Sequence, residues 1–292
     1  QVALSARNAE SLEALCQGHP NAHPLPLDVS DRQAVLNAGE TIAERLGALD
    51  LALFNAGTCE YLNAQQFDMD LVERVFKPNL FGTLYGVEAA LPLLRAARQQ
   101  GLPARLAATS SASAYLPLPR AEAYGASKAA VSYFLESLRL DLDQEGIDVS
   151  LIHPGFVKTP LTERNDFPMP MQVTAEQAAD AIIAGLVKGR LDIHFPRRFT
   201  YLVKGVVMSA VVSNSAGASQ RIAIVGSGIS GMAAGWYLSA QHEVTLFEAD
   251  SRLGGHTATM DVDVKGQTYA IDTGFIVFND WTYPHFQRLM AT

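Results

Sequence analysis

The sequence predicts an α/β protein built on a doubly wound parallel sheet. Short β-type runs alternate along the chain with longer segments of helical periodicity. The strand runs are apolar almost throughout, so both of their faces need covering, and helices on each side of a parallel sheet do that. A second strand–turn–helix pattern begins near residue 220, after a small polar stretch.

In chain order, the strand candidates of the first part are residues 2–7, 23–27, 49–54, 104–109 and 147–152. The helix candidates are 9–17, 31–46, 70–99, 124–144 and 175–188. The segment 70–99 carries Pro78, which lacks an N–H and crowds the preceding turn, so a kink is expected there. Thr174 and Gln177 have the spacing of a capping box. Residues 213–219 are all small or polar and read as a linker between a domain over 1–212 and a second over 220–292. That second part opens with a strand at 221–225, a glycine turn, a helix through 238 and a strand at 244–247. The chain starts at Gln1 directly in a strand-like run and stops at Thr292 without a closing signal, so it reads as a fragment cut at both ends.

Composition narrows the function. A net charge of −8 argues against nucleic acid or an anionic membrane as the main partner. The two cysteines, Cys16 and Cys59, have neither metal-site nor redox-motif spacing, which points to a reducing, cytoplasmic setting without a disulfide framework. The apolar stretch 202–212 is interrupted by Lys204 and is too short to span a bilayer.

The most informative segment is Tyr124-Gly125-Ala126-Ser127-Lys128. Four residues apart on a helix, Tyr124 and Lys128 share one face. A phenol titrates near ~10 and is a poor base at neutral pH. A neighbouring ammonium is expected to lower that value, leaving a group able to give or take a proton at a substrate oxygen. Thr109-Ser110-Ser111 stands at a strand end, where open α/β sheets collect their reactive groups.

These residues belong to an ordered set: Leu27-Asp28-Val29, Asn55-Ala56-Gly57, Asn79, Ser111, Tyr124-x-x-x-Lys128 and His153-Pro154-Gly155. Over roughly residues 1–205 the set resembles the short-chain dehydrogenase/reductase family. The resemblance implies a Rossmann-like fold and interconversion of a secondary alcohol and a carbonyl with a nicotinamide cofactor. It implies that Tyr124 is the acid/base, that Lys128 lowers its pKa and holds the nicotinamide ribose, and that Ser111 polarises the substrate oxygen. It also implies that Asn79 holds a water of a proton relay. Asn55, Ala56 and Gly57 would pack beside the adenosine, with Asp28 and Val29 flanking the adenine. Pro154 and Gly155 would lie by the nicotinamide, with Thr159 on its carboxamide and 156–173 as the substrate loop.

An acid at the end of the family's second strand would bind the ribose 2′-hydroxyl of NAD and repel a 2′-phosphate. The stretch here is Ser5-Ala6-Arg7, and Arg7 can fork onto a phosphate. NADP(H) is therefore expected, with NAD as the alternative. The family's glycine-rich phosphate turn, with the first strand and helix, would precede residue 1. A sheet lacking that first βα unit leaves inner strand edges unpaired, at about 1–3 kcal/mol for each buried orphan group.

In the second part Gly226, Gly228 and Gly231 follow a strand and open a helix, and Glu248 ends the next strand. This is a dinucleotide fingerprint in its required context, a partial Rossmann-type βαβ unit. With Arg252, Gly254, Gly255, His256 and Asp272-Thr273-Gly274, residues 220–292 resemble the start of an FAD-dependent amine-oxidase-type flavoprotein. The resemblance implies FAD as cofactor, if the domain is complete.

Other residues take plainer readings. Ser110 and Ser113 read as backbone-bonding serines, and His153 and His194 as structural, having no carboxylate or cysteine at ligand spacing. His256 reads as local structure and Arg197-Arg198 as a solvated turn. Phe134, Leu135 and Leu138 form a core stripe or a homo-oligomer face. Phe167, Met169 and Met171 in the substrate loop favour an apolar small-molecule substrate. Two other readings stand beside the reductase: a catalytically silent fusion fragment without bound cofactor, and part of a flavoenzyme.

Overall fold

Six short strands of the first part line up in parallel because each is followed by a helix long enough to carry the chain back to the starting edge. The computed structural model describes residues 1–206, 219–255, 259–264 and 267–272. The chain divides into two units, Gln1–Val211 and Val212–Thr292. Residues 213–218 of the expected linker, with His256, Thr273 and Gly274, lie outside the described residues.

The first unit contains β1 (Val2–Ala6), α1 (Ala9–Cys16), β2 (Ala22–Pro26), α2 (Arg32–Leu46), β3 (Leu51–Phe54), α3 (Met69–Phe76) and α4 (Gly82–Gln99). It continues with β4 (Arg105–Thr109), α5 (Glu122–Asp143), β5 (Asp148–Pro154), α6 (Ala175–Val187), β6 (Asp192–Phe195) and α7 (Arg197–Val206). Every strand pair is parallel. β3-β4-β5-β6 form a four-stranded sheet, and β1-β2 form a separate two-stranded one. Among the described residues β1 pairs with β2 alone and β3 with β4 alone. Leu51 and Leu53 of β3 stay 42% and 44% exposed.

Helices cover both faces of the larger sheet. Leu106, Ala108, Val149 and Leu151 point to one face and pack with Leu94 of α4 and Val131, Leu135 and Leu142 of α5. Ala107 and Ile152 point to the other, against Ala178 of α6 and Ile193 and Phe195 of β6. This period-2 split of apolar side chains onto two covered faces is what continuous apolar strands predict. Each aliphatic side chain fully buried here contributes about 1.5–3 kcal/mol. The two sheets are joined through α2 and α4: Arg32 forks onto Glu88, and a Cβ on Gly39 would lie 3.0 Å from that of Ala89.

Around Pro78 the expected single helix is divided. A π-helical turn, Lys77–Phe81, separates α3 from α4 and is closed by Gly82 N–H donating to the Lys77 carbonyl. Such turns often mark functional sites, and this one buries Asn79. The capping box at Thr174 and Gln177 is formed in both directions. The sequence reading lacked β6 and α7, so that Arg197 opens a helix where a turn was expected.

In the second unit β7 (Arg221–Val225) and β8 (Glu243–Phe247) pair in parallel across α8 (Ile229–Ser239). An unforeseen antiparallel hairpin follows, β9 (Thr259–Val264) with β10 (Gln267–Asp272). No helix among the described residues is long and apolar enough to cross a membrane.

Candidate active site

The end of β4 and the first turns of α5 bring three of the expected residues together. The Ser111 hydroxyl lies close enough to the Tyr124 phenol to lower its pKa and accepts from Ser113 N–H at 3.1 Å. Lys128 lies one turn below Tyr124, 4% exposed, with its ammonium 6.0 Å from the centre of the Tyr124 ring. That ammonium donates to the Thr109 carbonyl at 2.7 Å. Gly57 is the close neighbour that permits this: a Cβ there would stand 3.2 Å from Lys128 Nζ and 3.0 Å from Asn79 Oδ1.

The electrostatics correct one expectation. Tyr124 is pushed up to about 12 by burial, partly offset by the neighbouring Ser111 hydroxyl. The phenol therefore stays above its ordinary value with the Lys128 ammonium 6.0 Å from the ring centre, because removal from water disfavours the phenolate. Lys128 itself is lowered to about 8 by the same burial, with the neighbouring Cys59 partly opposing.

Asn79 is buried and fully engaged. Its Oδ1 accepts from Thr58 N–H at 2.7 Å, and its Nδ2 donates to the Thr58 carbonyl and the Ser127 hydroxyl, both at 2.9 Å. The side chain therefore ties the π turn to the loop after β3 and to α5. Asn55 accepts from the Thr109 hydroxyl at 2.8 Å, pinning the same loop to β4.

Sequence reasoning missed Cys59 and Tyr61. The Cys59 thiol is raised by burial and feels Lys128; the Tyr61 hydroxyl, also raised by burial, donates to Asn165 Oδ1 at 2.6 Å. Tyr61 meets Phe167 edge-on at 5.6 Å, and Phe156 lies between Phe167 and Phe199 at 6.2 and 5.5 Å. Arg120 stacks over Tyr61 and pairs with Asp166 at 3.0 Å. The loop at 156–173 is thus held over the site by aromatic contacts and two polar ties. The signal available was position alone: Cys59 and Tyr61 stand two and four residues after Gly57 of Asn55-Ala56-Gly57.

The residues expected at the cofactor's ends lie past the carboxyl ends of their strands. Arg7 follows β1, is exposed and has no ion-pair partner among the described residues. Asp28 follows β2 and accepts from Ser30 N–H at 2.8 Å, while Val29 packs on Gly82, where a Cβ would meet it at 2.9 Å. Pro154 ends β5. Gly155 lies against the Phe199 ring, 2.9 Å from where its Cβ would be. Thr159 and Thr162 exchange hydrogen bonds in the turn beyond, Thr159 N–H donating to the Thr162 hydroxyl at 2.9 Å.

Residues 1–169 match the short chain dehydrogenase family. The chain belongs to that family. An uncharacterized oxidoreductase of Myxococcus xanthus is 36% identical over 173 residues, 59% of this chain and 67% of its own length. The dehydrogenase/reductase SDR family protein 7-like of Anopheles gambiae is 33% identical over 171 residues, 56% of this chain and 53% of its own. The chain thus spans from about half to two thirds of these relatives. An NADPH-bound carbonyl reductase from chicken fatty liver superposes with a TM-score of 0.58 at 27% identity, over 63% of this chain and 79% of the reductase.

Within this short-chain dehydrogenase unit one histidine departs from its expected reading. His153, 2% exposed, does have a carboxylate partner: its Nδ1 lies 3.0 Å from Asp192 Oδ1. The partner was hidden because it stands on β6, which the sequence reading lacked. His194 bonds the Thr200 hydroxyl at 2.6 Å, and Ser110 bonds the Lys128 carbonyl, the backbone role expected of it.

Residues 224–292 match a different family, the NAD(P)-binding Rossmann-like domain. Its glycine turn is formed: Gly226 takes φ +93, a conformation other residues rarely adopt, and a Cβ on Gly231 would strike the Gly226 carbonyl at 2.1 Å. Glu248 accepts from Ser227 N–H at 2.8 Å and its hydroxyl at 2.6 Å, and from Asp250 N–H at 2.9 Å. Those donors hold its carboxyl down at about 2. Gly254 pairs with Gly228, its N–H donating to the Ser227 carbonyl at 2.9 Å, and the Arg252 guanidinium donates to the Gly255 carbonyl.

Proposed function

We propose that the first unit interconverts a secondary alcohol and a carbonyl with NADP(H), and that Tyr124 gives or takes the proton. The observation that carries this is the convergence of the Ser111 hydroxyl, the Tyr124 phenol and the Lys128 ammonium beside Gly57. The nicotinamide, when bound, supplies or accepts the hydride. A substrate carbonyl oxygen would accept from Ser111 and Tyr124 together, and the Tyr124 proton would pass to it as charge builds there. A phenol near 12 holds its proton at neutral pH and so has it in place to give to a carbonyl oxygen. Lys128, near 8, is then an ammonium and stabilises the phenolate left behind.

The residues present fit both ends of the cofactor. Arg7 would take the 2′-phosphate, Asp28 and Val29 the adenine, and Asn55, Ala56 and Gly57 the adenosine side. Pro154, Gly155 and Thr159 would flank the nicotinamide, and Lys128 its ribose. The Tyr61, Phe156, Phe167 and Phe199 rings favour an apolar substrate. Tyr133, Phe134 and Leu140 are exposed along α5 and would form a homo-oligomer contact. Two free cysteines suit the cytoplasm. In the second unit Gly226, Gly228, Gly231, Glu248, Arg252, Gly254 and Gly255 would cradle FAD in a complete domain.

The test is titration of the chain with NADPH, followed by nicotinamide fluorescence, then turnover of a panel of apolar ketones. Tyr124→Phe is expected to bind NADPH like the parent and to lose turnover by about 100-fold or more. No fluorescence change at millimolar NADPH would overturn the proposal and favour a catalytically silent chain. Undiminished turnover in Tyr124→Phe would remove Tyr124 from the chemistry.

A further inference from the structure

Behind the residues proposed for catalysis runs a polar chain, buried at Ser110 and His153 and open to solvent at Asp192, that the chemistry above does not use. The Ser110 hydroxyl donates to the Lys128 carbonyl at 2.9 Å and lies 2.7 Å from the Ser132 hydroxyl. Ser132 lies 3.1 Å from His153 Nε2 and 3.1 Å from the Lys128 carbonyl. His153 Nδ1 meets Asp192, and the imidazole stacks on Tyr115 with centroids 4.6 Å apart. The chain joins the end of β4 to α5, β5 and β6, the four elements that carry or back the site.

We propose that Asp192, His153, Ser132 and Ser110 form a strut of positioning residues that sets the height of Lys128 and Tyr124 against Ser111. This inference rests on the proposed roles of those three residues. The geometry has a simple logic. Two consecutive residues grip α5 directly, the Thr109 carbonyl taking the Lys128 ammonium and the Ser110 hydroxyl the Lys128 carbonyl, and the next, Ser111, lies beside the Tyr124 phenol. Only the Ser110 grip depends on groups further back. An ionised carboxylate only accepts, so Asp192 assigns the hydrogen to Nδ1 and leaves Nε2 to accept from Ser132. With the Ser132 hydrogen directed at His153, the Ser110 hydrogen is left for Lys128. Without His153 the Ser132 hydrogen turns to the Lys128 carbonyl or to Ser110, and the two hydroxyls compete for one acceptor.

The Ser132–His153–Asp192 order also occurs in hydrolytic triads. Here the Ser132 hydroxyl sits within α5 and is engaged by Ser110, Lys128 and His153, so it is held as a brace and not presented as a nucleophile.

The test uses the full chain carrying His153→Phe, which keeps the ring on Tyr115 and removes both hydrogen bonds, and His153→Gln, which retains a donor and an acceptor. Amide hydrogen exchange, measured without cofactor, is expected to quicken about 10-fold in the first half of α5 for the Phe variant, with the far-UV spectrum unchanged. NADPH-dependent turnover is expected to fall about 10- to 100-fold in kcat with the substrate KM within about 2-fold. The Gln variant is expected to recover most of both. Unchanged exchange in α5, or a change confined to KM, would overturn the strut. If the parent chain fails to bind NADPH, the proposed function fails and the exchange measurement still decides the strut. If the Phe variant does not fold, Ser132→Ala, which cuts the same chain with a smaller change, takes its place with the same expectations.

Discussion

Lys128 offers the sharpest numerical check on the site. Its ammonium is buried, and burial lowers it from 10.5 to about 8. The fold therefore disfavours the charged form. That penalty is present in full at neutral pH, where both native and unfolded chains hold the proton. It lifts as pH rises from about 8 towards 10.5, where the unfolded chain still holds the proton that the native chain has released, so stability increases with pH across that window. The whole shift corresponds to about 3 kcal/mol, and the part recovered between about pH 7 and 9 is roughly 1–1.5 kcal/mol. Cys59, raised from 9.0, acts in the opposite sense but takes back only a few tenths of a kcal/mol by about pH 9. Tyr124, raised from 10.0 to about 12, opposes only above about pH 10. The assay is guanidinium unfolding at stepped pH, followed by far-UV circular dichroism. Tryptophan emission would report the wrong unit, since Trp236 and Trp281 are the chain's two tryptophans and both lie beyond Val211. The parent should gain stability up to about pH 9, and Lys128→Met should be more stable at pH 7 and lose the gain. A flat or falling parent profile, or an equal rise in Lys128→Met, would show that this ammonium is not buried as described.

Other outcomes follow from single contacts. Arg7→Glu should weaken NADPH binding at least 10-fold while leaving NADH binding within about 3-fold, read by nicotinamide fluorescence; equal losses for both would remove Arg7 from the phosphate site. Asn79→Ala leaves Thr58 N–H without its acceptor in a buried site, and should cost about 1–3 kcal/mol in unfolding free energy and lower turnover. Gly86→Ala places a Cβ 2.4 Å from the Phe54 ring at the end of β3 and should lower stability by about 1–3 kcal/mol, measurable as a shifted unfolding midpoint.

The residues proposed for catalysis were readable because their relations are local. Tyr124 and Lys128 share a helix face by spacing, and Ser111 follows an apolar strand that could only end where it does. Helix starts with their own capping side chains, such as Thr174, were equally plain. What escaped depended on pairing across distance. Asp192-Ile193-His194-Phe195 is four residues of mixed polarity, and nothing local marks it as a strand; it becomes one by lying beside β5, with Leu151 opposite Asp192. Hence the His153–Asp192 contact, 39 residues apart, had no visible partner. The raised pKa of Tyr124 was hidden for a related reason. The Tyr124–Lys128 spacing is legible in the sequence, whereas the burial that raises the phenol is a property of the folded chain.

The division of the first unit into two sheets separates two properties that one continuous sheet would link. Ser111, Tyr124 and Lys128, with the Ser110–Ser132–His153–Asp192 chain behind them, lie on or directly after β4, β5, β6 and α5, on the four-stranded sheet. Arg7 and Asp28 stand at the ends of β1 and β2, on the two-stranded sheet, which reaches the larger one through the α2–α4 packing. Loosening that packing should therefore weaken the proposed hold of Arg7 and Asp28 on the adenosine end of a cofactor before it disturbs Tyr124 and Lys128. Arg32→Ala removes a fork that is about half exposed on both partners, so its effect on global stability should be well under 1 kcal/mol. A Gly39→Leu change instead drives side-chain atoms into Ala89, already 3.0 Å from the Cβ position. It should raise the NADPH dissociation constant while hydrogen exchange in α5 stays at the parent rate. Equal disturbance of both would mean that the two sheets behave as one body, and that the gap between β1 and β3 is bridged more firmly than their hydrogen bonding shows.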